Sequence, residues 1–235
     1  NTTFTNTSPE TGKTYYYKVM ATHDNSAAHS ARSAAKSVVC ALKPTKVTLS
    51  SVASSGKIKV SWEPVEGAVG YEVYRATSST GTYTKVFTTT KTSYTNTSAK
   101  AGKTYYYKVK ALHADPAANS PFSSVKYRTC DLPRPTGIKA TRSASTGKVT
   151  VSWNKVTGAD KYSVYYSTDG GSTYSLLKTT TGTALTHTSA PVGKTVYYKV
   201  KAIYSANTAA NSAYSSYTKG TATLAAPSIS VSNVA

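Results

Sequence analysis

The decapeptide Gly102-Lys103-Thr104-Tyr105-Tyr106-Tyr107-Lys108-Val109-Lys110-Ala111 constrains the fold of this chain more than any other stretch. It occurs three times, beginning at Gly12, Gly102 and Gly193, so the chain has an internal period of about 90 residues. A unit of that length is too long for a solenoid repeat and suits a small β-sandwich. Residue character alternates within the decapeptide. Tyr105, Tyr107, Val109 and Ala111 share one face, and Tyr106, Lys108 and Lys110 share the other. This is the pattern of a strand with one buried and one solvated face.

The rest of the unit supports an all-β reading. In residues 43–133, Ile58, Val60 and Trp62 alternate after the turn signal Ser55-Gly56, and Tyr71, Val73 and Arg75 alternate with Glu72 and Tyr74. Short strands are expected over Tyr83 to Phe87 and Ser93 to Thr95. A polar loop from His113 to Pro121 then leads to a final strand from Phe122 to Thr129. Residues 134–225 repeat the plan with Val149, Val151, Trp153, Tyr162, Val164 and the turn Asp169-Gly170-Gly171. Residues 1–42 lack a Trp-bearing strand and read as the last three strands of a unit. Residues 226–235 read as the first strand of another. The chain opens mid-repeat and without a signal-peptide pattern, which suggests a segment of something longer.

Charge and composition narrow the function classes. There are 28 basic and 9 acidic residues, a net charge of +19, spread along the chain as isolated lysines on strands. Without a recognition-helix pattern, nucleic acid is an unlikely partner, and the charge suits a self-repelling surface in an anionic environment. No apolar run approaches the roughly 18 residues of a membrane span. Cys40 and Cys130 occupy equivalent points of consecutive repeats. They should therefore lie about one domain length apart, beyond disulfide reach. The expectation is no bond between them within one chain.

No catalytic, cofactor or metal constellation emerges. The acidic residues are scattered, without the paired placement that glycoside hydrolysis needs. His23, His29, His113 and His187 lack metal-ligand spacing. Asn1-Thr2-Thr3, Asn6-Thr7-Ser8 and Asn96-Thr97-Ser98 match the glycosylation pattern, which is most simply a chance match in a Thr-rich chain.

The units resemble fibronectin type III domains. The likeness rests on an opening Pro (Pro44, Pro135), a second-strand Trp (Trp62, Trp153) and a third-strand Tyr-x-Val (Tyr71/Val73, Tyr162/Val164). The Gly-x-Thr-Tyr-x-Tyr-x-Val-x-Ala decapeptide completes it. The resemblance implies tandem seven-stranded sandwiches in an extended array. It also implies a tyrosine corner, in which a Tyr hydroxyl bonds backbone just upstream. Tyr15 and Tyr105 match that position, whereas Val196 replaces it in the last copy, where the bond should be missing. The Arg-Gly-Asp tripeptide of the family's last long loop is absent, so integrin binding is not carried over. The sequence looks like the tandem modules of secreted surface proteins and polysaccharide-degrading enzymes of Gram-positive gut bacteria. There such modules mostly act as spacers.

The resemblance therefore implies a non-catalytic spacer or display module of an extracellular or cell-surface bacterial protein, with no cofactor, whose partners are other domains of the same polypeptide. Two alternatives stay open: an adhesive module for glycan or an anionic host surface, and an accessory region of a carbohydrate-active enzyme. The candidate binding face consists of Tyr74, Tyr106, Lys108 and Lys110, matched by Tyr165, Tyr197, Lys199 and Lys201. Glu72 lies on the same face. The competing account is a cross-strand aromatic pair that stabilises the sheet by about 0.2–1 kcal/mol. Recurrence in both units favours that account.

Overall fold

The computed structural model describes residues 2–230. It is built of β-strands, with three single-turn 3-10 segments at Ser26–Ala28, Pro116–Ala118 and Thr208–Ala210. β1 (Thr14–Tyr17) and β2 (Lys36–Val39) pair as an antiparallel ribbon. Seven strands follow: β3 (Val47–Ser51), β4 (Ile58–Trp62), β5 (Gly70–Ala76), β6 (Thr84–Thr89), β7 (Ser93–Asn96), β8 (Thr104–Leu112) and β9 (Lys126–Thr129). They form a three-stranded sheet in the order β3-β4-β7 and a four-stranded sheet in the order β6-β5-β8-β9. The same arrangement recurs in β10 (Lys139–Arg142), β11 (Val149–Ser152), β12 (Lys161–Ser167), β13 (Ser175–Thr180), β14 (Ala184–His187), β15 (Thr195–Ile203) and β16 (Thr218–Thr221). Their sheets run β10-β11-β14 and β13-β12-β15-β16.

By packing, the chain divides into two compact units. The first holds the described residues up to Leu49 with Lys59–Thr95 and Tyr105–Tyr127. The second holds Ser50–Ile58 and Asn96–Thr104 with the described residues from Arg128 onward.

The alternation in the sequence becomes burial. In β8 the burial pattern is strictly alternating, with Tyr105, Tyr107, Val109 and Ala111 inside, and β15 repeats it with Val196, Tyr198, Val200 and Ala202. Trp62 packs on Tyr71 with ring centroids 5.5 Å apart, and Trp153 on Tyr162 at 5.4 Å. Each of these tyrosines also fixes the loop before its own strand. The Tyr71 hydroxyl accepts the Val65 N–H at 2.9 Å, and the Tyr162 hydroxyl accepts that of Val156 at 2.8 Å. Neither indole N–H finds an acceptor, so packing rather than a side-chain hydrogen bond holds the two indole rings.

Several expectations change. The final strand of the unit is only Lys126–Thr129 rather than Phe122 to Thr129. The segment before it is irregular backbone zipped onto β8 by two serines. The Ser120 and Ser123 hydroxyls accept the Ala111 and Val109 N–H groups at 2.8 and 3.0 Å, and their own N–H groups donate back to the same two residues. Ser212 and Ser215 do the same for Ala202 and Val200, as do Ser30 and Ser33 for Ala21 and Val19. Arg75 keeps the side of β5 that carries Tyr71 and Val73, opposite Tyr107, but is only partly buried, with its guanidinium 5.4 Å from the centre of the Tyr105 ring. The register shift against β6 falls between Val73 and Tyr74 and leaves Val86 of β6 unpaired, while Ala76 lies opposite Tyr106 and is buried there.

In residues 2–42 the structure shows two strands rather than three, and the first decapeptide forms only four residues of strand against nine in β8. The reason is the second neighbour: β8 is pinned along β5 from Leu112 to Tyr106, whereas β1 has β2 alone. Its Tyr15 and Tyr17 stay half-buried over a groove of about 800 Å³.

The tyrosine corner is present in the first copy, where the Tyr15 hydroxyl accepts the Glu10 N–H at 2.8 Å. In the last copy the residue at the donor position is Pro191, which has no N–H. The loss of the hydroxyl at Val196 and the loss of its donor go together. Both cysteines are free. Cys130 is buried, its thiol donates to the Gly56 carbonyl at 3.3 Å, and burial pushes its pKa up. Of the glycosylation triplets, that at Asn96 is closed because its side chain is fully buried, and that at Asn1 lies outside the described residues.

Candidate functional site

The Tyr/Lys face lies on the outer side of the four-stranded sheets. β5 and β8 are antiparallel neighbours, with Glu72 opposite Lys110, Tyr74 opposite Lys108 and Ala76 opposite Tyr106. Tyr74 and Tyr106 are therefore offset by one same-face position and do not stack on each other. Tyr74 meets the edge of Phe122, from the serine-zipped segment, with centroids 4.9 Å apart at 83°. Tyr106 packs on Tyr127 of β9 at 5.4 Å.

The lysines fill the spaces between rings. The Lys108 ammonium sits 3.9 Å from the centre of Phe122 and 4.6 Å from that of Tyr83, and Lys110 lies 4.9 Å from Phe122. At such distances each ammonium is held by the negative face of a ring. Glu72 closes the pattern. It accepts the Tyr74 hydroxyl at 2.9 Å and the Lys85 ammonium at 2.8 Å. The Lys85 bond, ahead of Tyr74, holds the Glu72 carboxyl below its usual range. Burial, with the neighbouring carboxylate, pushes the Tyr74 hydroxyl up.

The second sandwich builds the same face with different partners. Tyr165 lies opposite Lys199, Ser163 opposite Lys201 and Ser167 opposite Tyr197. Tyr165 meets Tyr214 edge-on at 5.1 Å, and Tyr197 packs on Tyr217 at 5.5 Å. Lys199 covers Tyr174 at 4.0 Å and Lys201 approaches Tyr214 at 5.4 Å. Here Ser163, bonded to Thr179 at 3.0 Å, replaces the glutamate. All eight candidate residues thus occupy one kind of surface in two copies, four in each.

Of their ring partners, Phe122, Tyr214 and Tyr217 lie outside the strands and Tyr127 lies in the short β9, so period-two alternation did not mark them as part of the face. The available signal was an aromatic two places after a loop serine, at Ser120-Pro121-Phe122 and Ser212-Ala213-Tyr214. Among the described residues, no three His, Cys, Asp or Glu side chains converge as metal ligands would.

Comparison with known proteins agrees with this architecture. The family model described as "Fibronectin type III domain" matches residues 42–123. The chain is 38% identical over 74 residues to an amylopullulanase of Thermoanaerobacter thermohydrosulfuricus. That match covers 31% of this chain and only 5% of the length of the relative. Among solved structures, the chicken interferon gamma receptor alpha chain superposes with a TM-score of 0.56 at 13% identity, over 77% of this chain and 98% of that one, a likeness of fold alone. A segment of two fibronectin type III domains from chicken tenascin aligns at 18% identity and a TM-score of 0.43, over 76% of this chain and 97% of that one. Sheet order, the Trp–Tyr core and the family match coincide: this all-β chain carries a fibronectin type III domain at residues 42–123.

Proposed function

We propose that this chain is a non-catalytic tandem array that spaces or displays other domains of an extracellular bacterial protein. The observation that carries the reading is the occupancy of part of the Tyr/Lys face by its own lysines, while Tyr127 and Tyr217 at its edge stay exposed. A sugar-binding platform needs an open aromatic face, and here Phe122, Tyr83, Tyr174 and Tyr214 each have a lysine ammonium over the ring. The recurrence of that arrangement in two sandwiches fits a device for holding strands in register.

A second reading is favoured by the amylopullulanase similarity. In it the array is an accessory region of a carbohydrate-active enzyme, and its sheet face contacts glycan or another anionic surface. The experiment that tests the proposal is a binding screen of the intact chain against neutral glucans and sulfated glycans. The spacer reading expects no saturable binding. Saturable binding that is abolished by Tyr106→Ala together with Tyr197→Ala would replace it with the glycan-contacting one.

A further inference from the structure

The same joint is built twice in this chain, and its third copy is bare. After β2 the chain passes Cys40 and Ala41 to Leu42, which is 3% exposed. The Leu42 N–H donates to the carbonyl of Ala118, in the 3-10 turn of the next repeat, at 2.9 Å. Its side chain lies against Gly67, where an added Cβ would come 3.4 Å from Leu42 Cδ2. After β9 the chain passes Cys130 and Asp131 to Leu132, which is 1% exposed. The Leu132 N–H donates to Ala210 at 2.7 Å, and a Cβ on Gly158 would again lie 3.4 Å from the leucine Cδ2. Both receiving alanines are fully buried.

A second contact accompanies each leucine. The glycine that opens the decapeptide has positive φ and lies under an aromatic ring of the following loop. A Cβ on Gly12 would come 2.7 Å from His113, and one on Gly102 would come 2.5 Å from Tyr204. A side chain at either glycine would have to displace that ring.

The third copy follows β16 through Ala222 and Thr223 to Leu224. This leucine is 79% exposed, and nothing lies within 4 Å of a Cβ on Gly193. Yet the platform beneath it is formed. Asp131 N–H bonds Gly56 O at 3.1 Å in the second copy, and Thr223 N–H bonds Gly147 O at 2.9 Å in the third. Cβ atoms on those two glycines would meet the facing carbonyls at 2.1 and 2.0 Å. Beside this clamp lies a recess of about 200 Å³ lined in part by Gly147, Ala190, Val192 and Leu224.

We propose that the Leu224–Gly193 end is a preformed docking face for a further fibronectin type III repeat. That repeat would cover Leu224, accept its N–H through the carbonyl of a buried 3-10 turn, and lay an aromatic loop residue on Gly193. The occupant follows from the two filled copies of the same joint, which take a leucine, an amide and a bare glycine in the same three ways. The proposal names the partner of the array reading and rests on it. It fails separately, because the glycan screen does not probe the joint.

The test extends the intact chain. Residues 133–224 are appended after Leu224 in one version and residues 43–133 in another, and amide hydrogen exchange is followed by NMR or mass spectrometry. The Leu224 amide is expected to slow by about 100-fold or more in the extended chains, approaching the Leu42 and Leu132 amides of the same sample. Leu224→Asp in the extended chain should abolish that protection and leave Leu132 protected. A folded appended repeat with Leu224 still exchanging freely overturns the proposal. So does failure of both appended repeats to fold, since the same sequences fold when joined through Leu42 and Leu132.

Discussion

The Nδ1 atom of His187 lies 3.0 Å from the hydroxyl of Tyr198, and both side chains are buried in the second sandwich. Burial lowers the pKa of the histidine and pushes the tyrosine up to about 12, so the pair is neutral at physiological pH. Because the folded-state pKa of His187 is depressed, the unfolded chain binds the proton more readily. Stability is therefore complete above the unfolded value near 6.5 and declines as pH falls through it. The melting temperature of this sandwich is expected to drop as pH falls below about 6.5. His187→Asn, which copies the residue at the end of β7, should flatten the dependence. An unchanged pH profile in the variant, measured by calorimetry, would show that another group controls it.

The Trp–Tyr pairs set the stability of each sandwich. Trp62→Ala and Trp153→Ala should each cost about 3–5 kcal/mol. Tyr71→Phe and Tyr162→Phe keep the ring contact and lose only the hydroxyl that accepts a loop N–H, at about 1 kcal/mol each. Denaturant titration of the intact chain, read by circular dichroism so that the signal does not depend on the deleted tryptophan, separates the two classes. Equal costs for the Trp→Ala and Tyr→Phe changes would contradict the assignment of the core to ring packing.

The corner substitution in the last decapeptide predicts a coupled pair. Val196 is fully buried, and the residue that would donate to a tyrosine hydroxyl there is Pro191. Val196→Tyr alone should destabilise by about 1–3 kcal/mol, through overpacking and an unmatched hydroxyl. Adding Pro191→Lys restores an N–H and should recover part of that loss. A double-mutant cycle with no coupling between the two positions would refute this account.

Glu72 offers a surface test of the ladder. Its carboxyl is held low chiefly by Lys85, so the contribution is present above the unfolded pKa near 4.3 and is lost as pH falls through the folded value. Lys85→Met should raise the Glu72 pKa, read by side-chain carbon NMR. Since Lys85 is about half exposed, the stability change should stay under about 1 kcal/mol. A Glu72 titration unmoved by the substitution would assign its low pKa to Tyr74 and the other neighbours.

Much of the inward face was determined by local pattern. Period-two alternation placed Tyr107 and Val109, and with them Tyr198 and Val200, in the core, because a strand turns successive side chains to opposite sides whatever its neighbours are. The spacing of the decapeptides likewise set the repeat. Tertiary structure decided what alternation cannot encode. Two decapeptides that differ only by Met20 in place of Lys110 yield nine residues of strand in β8 and four in β1, because backbone hydrogen bonds to a second neighbouring strand exist in one and not in the other. The outer lysines and tyrosines were placed on the right face, yet their partners, Phe122 and Tyr214, come from irregular segments held by serines. Leu42 and Leu132 occupy the same place in the repeat, and each is buried by residues far along the chain, Gly67 and Ala118 for one and Gly158 and Ala210 for the other. Contacts of that kind join residues distant in sequence, and their energies depend on distance in space, which no local pattern records.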